Sequence, residues 1–140
     1  MNIETNVLLS YKDYMSDNST FKSVLTILPS TPQSFSKFPT IVLREINNAD
    51  YGAGKTTKSE EYIDQLTYQV DIYTKDVRLN GKLYKANTVI AELKQLTADF
   101  FRKANFDRTS STPSEYLDLS VSRHVLIFSA KLNNWNLYIN

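Results

Sequence analysis

Leu66-Thr67-Tyr68-Gln69-Val70-Asp71-Ile72 is the stretch on which the fold turns. Leu66, Tyr68, Val70 and Ile72 alternate with Thr67, Gln69 and Asp71, and Gln65 extends the polar set. Successive side chains of a strand point to opposite faces, so the alternation predicts a strand with one face in a core and the other in water. A sheet covered on one side only is antiparallel behaviour, because parallel sheets are covered on both. The flanking sequence must then supply the partner strands and the cover.

Partner strands are present on both sides. Thr40-Ile41-Val42-Leu43-Arg44-Glu45-Ile46 follows Pro39 and is rich in β-branched residues. A last long strand is expected over about Leu119 to Leu132, ending at Asn133-Asn134. Phe106 to Ser111 reads as a short strand broken by Thr112-Pro113-Ser114. Phe21 to Leu28 fits either a short strand or a helical turn; Thr and Val favour the strand, and Pro29 stops it. Ser30 to Lys37 is an expected exposed loop, and Asn80-Gly81 marks a turn. Asn47 to Glu61 has two Gly, two Asn and no apolar periodicity, which predicts a mobile loop of the kind that often carries function.

Two helices supply the cover. Val7, Leu8, Tyr11, Tyr14 and Met15 form one apolar stripe, with Asn2 available as a cap and Ser16 to Ser19 as the stop. Val89, Ile90, Leu93, Leu96, Phe100 and Phe101 form a second stripe over Ala86 to Ala104, with Asn87 near its start. Arg102 and Lys103 suit the negative end of that helix. The whole predicts one α+β domain over residues 1–140, with two helices packed on one face of a mainly antiparallel sheet.

Composition narrows the function classes. The chain has 140 residues, 41% of them apolar, enough to bury a core. Sixteen basic residues stand against 15 acidic ones, so the net charge is +1 and no basic excess suggests a nucleic-acid partner. There is no cysteine, which removes disulfides and Cys-based zinc sites. The N-terminal stretch has no basic region followed by an apolar core, so no signal peptide is read. Apolar runs reach only about four residues (Val125 to Phe128), against the roughly 20 that cross a bilayer. No membrane partner is therefore expected, and folding in the cytoplasm is.

The motifs that tempt a catalytic reading are each incomplete. Gly52-Ala53-Gly54-Lys55-Thr56 resembles the end of a phosphate-binding loop, but Ala49 stands where the pattern needs glycine, and a strand follows where it needs a helix. His124 is the single histidine and lies inside a predicted strand, where a half-buried structural role is expected. Glu60, Glu61 and Asp64 are grouped, yet nothing places them across a cleft, and solvated charges are the expected reading. Lys75, Arg78, Lys82 and Lys85 read as a solvated connection. Phe100, Phe101 and Phe106 are expected in the core, whereas Trp135 and Tyr138 suit either an edge strand or a neighbouring subunit. No catalytic residue, metal or cofactor is expected.

From Phe38-Pro39-Thr40-Ile41-Val42-Leu43-Arg44-Glu45-Ile46-Asn47-Asn48 onward, the chain resembles the phage tail-terminator and tail-completion proteins. That family often carries an apolar residue and proline before a β-branched strand ending in Glu and Asn. Tyr68-Gln69-Val70-Asp71-Ile72-Tyr73-Thr74-Lys75 resembles its second strand. The helix Ala86 to Ala104 with Asn105-Phe106 resembles its later helix, and Arg123-His124-Val125-Leu126-Ile127-Phe128 its closing strand. The match rests on order and spacing together and leaves Asn47 to Glu61 and the C-terminal tail uncovered. The resemblance implies a virion protein of the tail or neck: a ring, usually a hexamer, that caps the head-proximal end of the tail, ends tube polymerisation and offers a surface to the head connector. The implied partners are further copies of the chain, the tail tube protein, and a head connector or head-completion protein, with DNA passing through the lumen without specific recognition. A ring needs head-to-tail contacts that close by rotation, and open strand edges suit such contacts.

Candidate interface residues are Tyr51, Lys55 and Lys58 from their place in the loop, Tyr73 from expected strand exposure, and Arg123, which pairs either across subunits or within the sheet. Three other readings stay open: a head-completion or neck protein of the same particle, a small hydrolase or nucleotide-binding enzyme, and a monomeric binding module.

Overall fold

The computed structural model describes residues 3–46, 65–115 and 120–131. The chain runs α1 (Ile3–Asn18), β1 (Thr26–Leu28), β2 (Thr40–Ile46), β3 (Gln65–Thr74), β4 (Val77–Leu79), β5 (Lys82–Tyr84), α2 (Ala86–Lys103), β6 (Asp107–Ser114) and β7 (Ser122–Lys131). Five strands form one sheet in the order β1-β2-β3-β7-β6, and β4 and β5 form a separate hairpin. The β1–β2 pair is parallel and the other pairs are antiparallel. This is an α+β fold with two helices on one face of a mainly antiparallel sheet.

The alternation in β3 sets which side is the core. Leu66, Tyr68, Val70 and Ile72 join Ile41 and Leu43 of β2 and Leu126, Phe128 and Ala130 of β7 in one buried cluster. The helices meet that face with the stripes the sequence shows. Val7, Tyr11 and Met15 of α1 are fully buried, with Leu8 and Tyr14 partly so. Val89, Leu93, Phe100 and Phe101 of α2 are buried, with Ile90 and Leu96 packed against them. Thr97 lies in the same stripe, unforeseen, because the Tyr11 hydroxyl reaches it at 2.6 Å. That bond satisfies both hydroxyls, and burial pushes the Tyr11 phenol well above its usual range.

The ends of α2 are held by different means. Ala86 N–H donates to Asp76 Oδ1 at 2.8 Å, so the cap comes from the β3–β4 connection rather than from Asn87. At the other end Asn105 takes φ 69°, with Asn105 N–H bonded to Arg102 O and Phe106 N–H to Phe101 O. This is a Schellman closure, and its apolar contact is the edge-on pair Phe101–Phe106 at 5.2 Å. The closure turns the chain directly into β6.

Three local expectations are corrected, and the turn expected at Asn80-Gly81 is found. Phe21 to Leu28 divides: the N–H groups of Val24 and Leu25 both bond Phe21 O in a turn, and only Thr26 to Leu28 pair as a strand. Asn80-Gly81 does more than turn the chain, since both residues take positive φ (53° and 81°) and close the β4–β5 hairpin. Thr112-Pro113-Ser114 does not break β6, which continues to Ser114 opposite Arg123. β6 is the outermost strand, where a missing N–H costs no ladder bond if it faces outward. Finally, the polar face of β3 is not wholly wet: Thr67 and Asp71 are 4% and 1% exposed.

Candidate interaction face

The second face of the sheet carries the side chains that alternate away from the helices. By register, Val42 lies opposite Asp71, Arg44 opposite Gln69, and Ile46 opposite Thr67. Across the other side of β3, Thr67 faces Ser129, Gln69 faces Ile127, Asp71 faces Val125, and Tyr73 faces Arg123. One end of this face is closed by a small cluster of Val42, Tyr73 and Val121, with Phe35 and Phe38 packed against it. The Phe35 and Tyr73 rings stand 4.4 Å apart.

Asp71 is the hub of that end. Its Oδ2 accepts from Arg123 Nη2 at 2.6 Å and from the Tyr73 hydroxyl at 3.2 Å, and its Oδ1 accepts from Gln69 Nε2 at 2.8 Å. Tyr73 and Gln69 are two residues away on the same strand and share its face, while Arg123 reaches across from β7. The Arg123 guanidinium also lies over the Tyr73 ring at 5.5 Å. A carboxylate at this depth is tolerated because three donors replace its water.

The rest of the face is less complete. Ile46, Val125 and Ile127 are half-buried and belong to neither buried cluster. Arg44 Nε and Arg123 Nε are buried with no hydrogen-bond partner among the described residues. An unmade hydrogen bond at a buried N–H costs about 1–3 kcal/mol, so an acceptor for either group would be stabilising.

The five sequence-derived interface residues fare differently. Tyr51, Lys55 and Lys58 lie outside the described residues. Tyr73 is 3% exposed, so the strand exposure that recommended it is absent; Phe35 and Phe38 cover it. Arg123 pairs within the sheet, through Asp71, and its Nε has no hydrogen-bond partner among the described residues. Arg44, Val125 and Ile127 escaped the sequence reading. Their alternation was legible, but it does not say which polar face stays half open. No protein-family model matches the chain, and no curated protein is similar to it. The face itself must carry the reading.

Other chemistry is sparse among the described residues. No group of three or more His, Asp or Glu stands together as metal ligands there, and no helix there is long and apolar enough to cross a membrane. His124 points to the helix side, 8% exposed, with Nε2 2.9 Å from Ser111 Oγ. Burial first, then the positive charges of Lys94 and Arg108, hold its imidazole below the usual range. The folded state therefore binds this proton less readily than the unfolded chain. The resulting stability is complete above the ordinary imidazole value of about 6.5 and is lost progressively as the pH falls from there through the lower folded-state value. Urea midpoints measured from pH 7.5 to 5 should decline less steeply in His124→Gln than in the parent. Parallel declines would show that another group sets the acid dependence.

Proposed function

We propose that this chain is a structural assembly protein that closes into a ring on the head-proximal end of a phage-type tail, ends tube polymerisation and joins the tail to the head connector. The resemblance along β2, β3, α2 and β7 supplies the particle and the position. The observation that supports assembly is the second face of the sheet, where Ile46, Val125 and Ile127 are half-buried and Arg44 Nε is buried without an acceptor among the described residues. Neighbouring copies and the tube protein are the occupants this reading assigns to it. A stable contact removes about 800 Å² from each partner, more than a few isolated side chains provide, so contact beyond this patch is required. The outermost strands β1 and β6 lie at opposite sides of the sheet, as head-to-tail contact within a ring requires.

The assay is tube growth. Added to polymerising tail tube protein, the parent chain should shorten the tubes and appear at one end only. Ile127→Glu places a charge on the half-buried patch and should leave the monomer folded while weakening tube capping at least tenfold, the loss expected when a buried contact gains an unpaired charge. Unaltered tube lengths with the parent protein would reject the terminator reading.

A further inference from the structure

The near-neutral charge of the whole chain hides an uneven distribution. Of its 16 basic and 15 acidic residues, four and one lie between Lys75 and Lys85, which leaves 12 and 14 elsewhere. The basic stretch is the β4–β5 hairpin with its two flanks. One side of the hairpin is anchored, since Val77 and Leu79 pack into the core and Tyr84 meets Phe21 edge-on at 5.0 Å. The other side carries Arg78 and Leu83, which stand directly opposite each other in the register and are both exposed. Asp76, the acid of this stretch, is occupied by Lys85 at 3.7 Å and by Ala86 N–H. Lys82 at the tip lies over the Tyr84 ring at 4.9 Å. Arg78 makes no hydrogen bond or ion pair among the described residues.

The complementary surface lies on α1. Leu9, Asp13 and Asp17 follow at intervals of four, so they share one row of the helix, and all three are exposed. Neither Asp13 nor Asp17 makes a hydrogen bond or ion pair among the described residues. Both stand in the C-terminal half of a helix whose last turn has no basic residue. The carbonyl end of a helix carries roughly half a negative charge, so acids there are destabilising until a cation from outside meets them. Lys12 is on the same helix but about 100° round it from Asp13, and Lys103 of α2 lies over the Tyr14 ring at 5.3 Å without pairing with either acid. Leu9 and Leu83 are the two large apolar side chains that stand exposed among the described residues. One belongs to the acidic row and the other to the basic hairpin.

We propose that α1 of one copy docks on the β4–β5 hairpin of the next, with Leu9 against Leu83, Arg78 answering Asp13, and the hairpin lysines facing the helix end at Asp17. The spacings agree: four residues of helix rise about 6 Å, and directly opposed strand residues stand about 5 Å apart, so each leucine has its charged neighbour at a similar step. A nucleic-acid backbone would use the hairpin cations, but it would leave Leu83 and the acidic row unanswered. The contact rests on the self-association that the ring reading assumes, and on no particular number of copies. Its two surfaces differ, so each copy gives one and receives the other, as a ring requires.

The test is cross-linking of the full chain. The sequence has no cysteine, so Leu9→Cys and Leu83→Cys variants carry the only thiols. Mixed and treated with oxidised glutathione, the two variants should give a linked dimer, and either variant by itself should give about tenfold less. Arg78→Glu in the Leu83→Cys copy should lower the mixed yield about tenfold, because an attraction is exchanged for a repulsion. Asp13→Arg in the Leu9→Cys copy should then restore it to within about twofold, which a merely misfolded hairpin would not allow. Equal yields from the mixture and from either variant by itself would overturn the proposal. So would an Arg78→Glu copy that links as before, or one that Asp13→Arg fails to restore. Duplex DNA is the remaining arm: if Arg78→Glu abolishes DNA retention while linking is unchanged, the hairpin is a nucleic-acid surface and the proposal is overturned. Tube capping enters none of these arms, so a parent chain that links but does not cap would sink the terminator reading and leave this contact standing.

Discussion

Phe101→Ala should lower the unfolding free energy by about 4 kcal/mol, the cost typical of deleting a fully buried phenylalanine. The ring is 0% exposed and touches aromatic neighbours from every layer that meets it. It stacks on Phe128 at 4.5 Å, meets Phe100 and Phe106 edge-on at 5.1 and 5.2 Å, and lies 6.0 Å from both Tyr11 and Tyr68. Those rings come from both helices, from β3 and β7, and from the turn into β6, so they cannot collapse together into the space left. The same side chain anchors the Schellman closure, which adds a local loss to the cavity. Leu9→Ala is the control, since Leu9 is 54% exposed and its loss should stay within about 0.5 kcal/mol. Urea denaturation of both variants checks the contrast. A loss below about 1.5 kcal/mol at Phe101 would mean the aromatic cluster is not the centre of the core.

Asp71→Ala should cost nearly as much, about 3 kcal/mol, for a different reason. Removing the carboxylate leaves the Arg123 charge, with 24% of its side chain exposed, and strips acceptors from Tyr73 and Gln69. Breaking a buried pair from one side costs about 3–5 kcal/mol, and the partial exposure of Arg123 places this case at the lower end. Replacing both partners by apolar residues, Asp71→Leu with Arg123→Met, should recover most of the loss, because no charge is then left unpaired. The double-mutant cycle in urea decides it. Strictly additive losses would show that the two residues do not act as a pair.

Much of this fold is legible in the sequence because its signals are periodic. The alternation through Leu66 to Ile72, the stripe from Val7 to Met15 and the stripe from Val89 to Phe101 each report one buried face, and each is found buried. Signals that depend on a residue's place in the sheet are not local. Pro113 reads as a break until β6 is known to be the outermost strand. Asp71 and Tyr73 read as solvent-facing because alternation tells one face from the other but not what covers the second. Here Phe35 and Phe38, distant in sequence, supply that cover. The half-buried remainder of the same face is illegible for the same reason, since the lack of a partner for Arg44 Nε among the described residues is a property of tertiary neighbours. His124 is legible as a strand residue, but its bond to Ser111 depends on the β6–β7 register.

The most direct measurement of the central claim is the solution mass of the purified chain by light scattering after gel filtration, at two concentrations and with and without tail tubes. The ring reading predicts a discrete closed assembly near six times the 16.1 kDa chain mass, or a shift to that mass on the tubes. A monomer at both concentrations that ignores the tubes would contradict it.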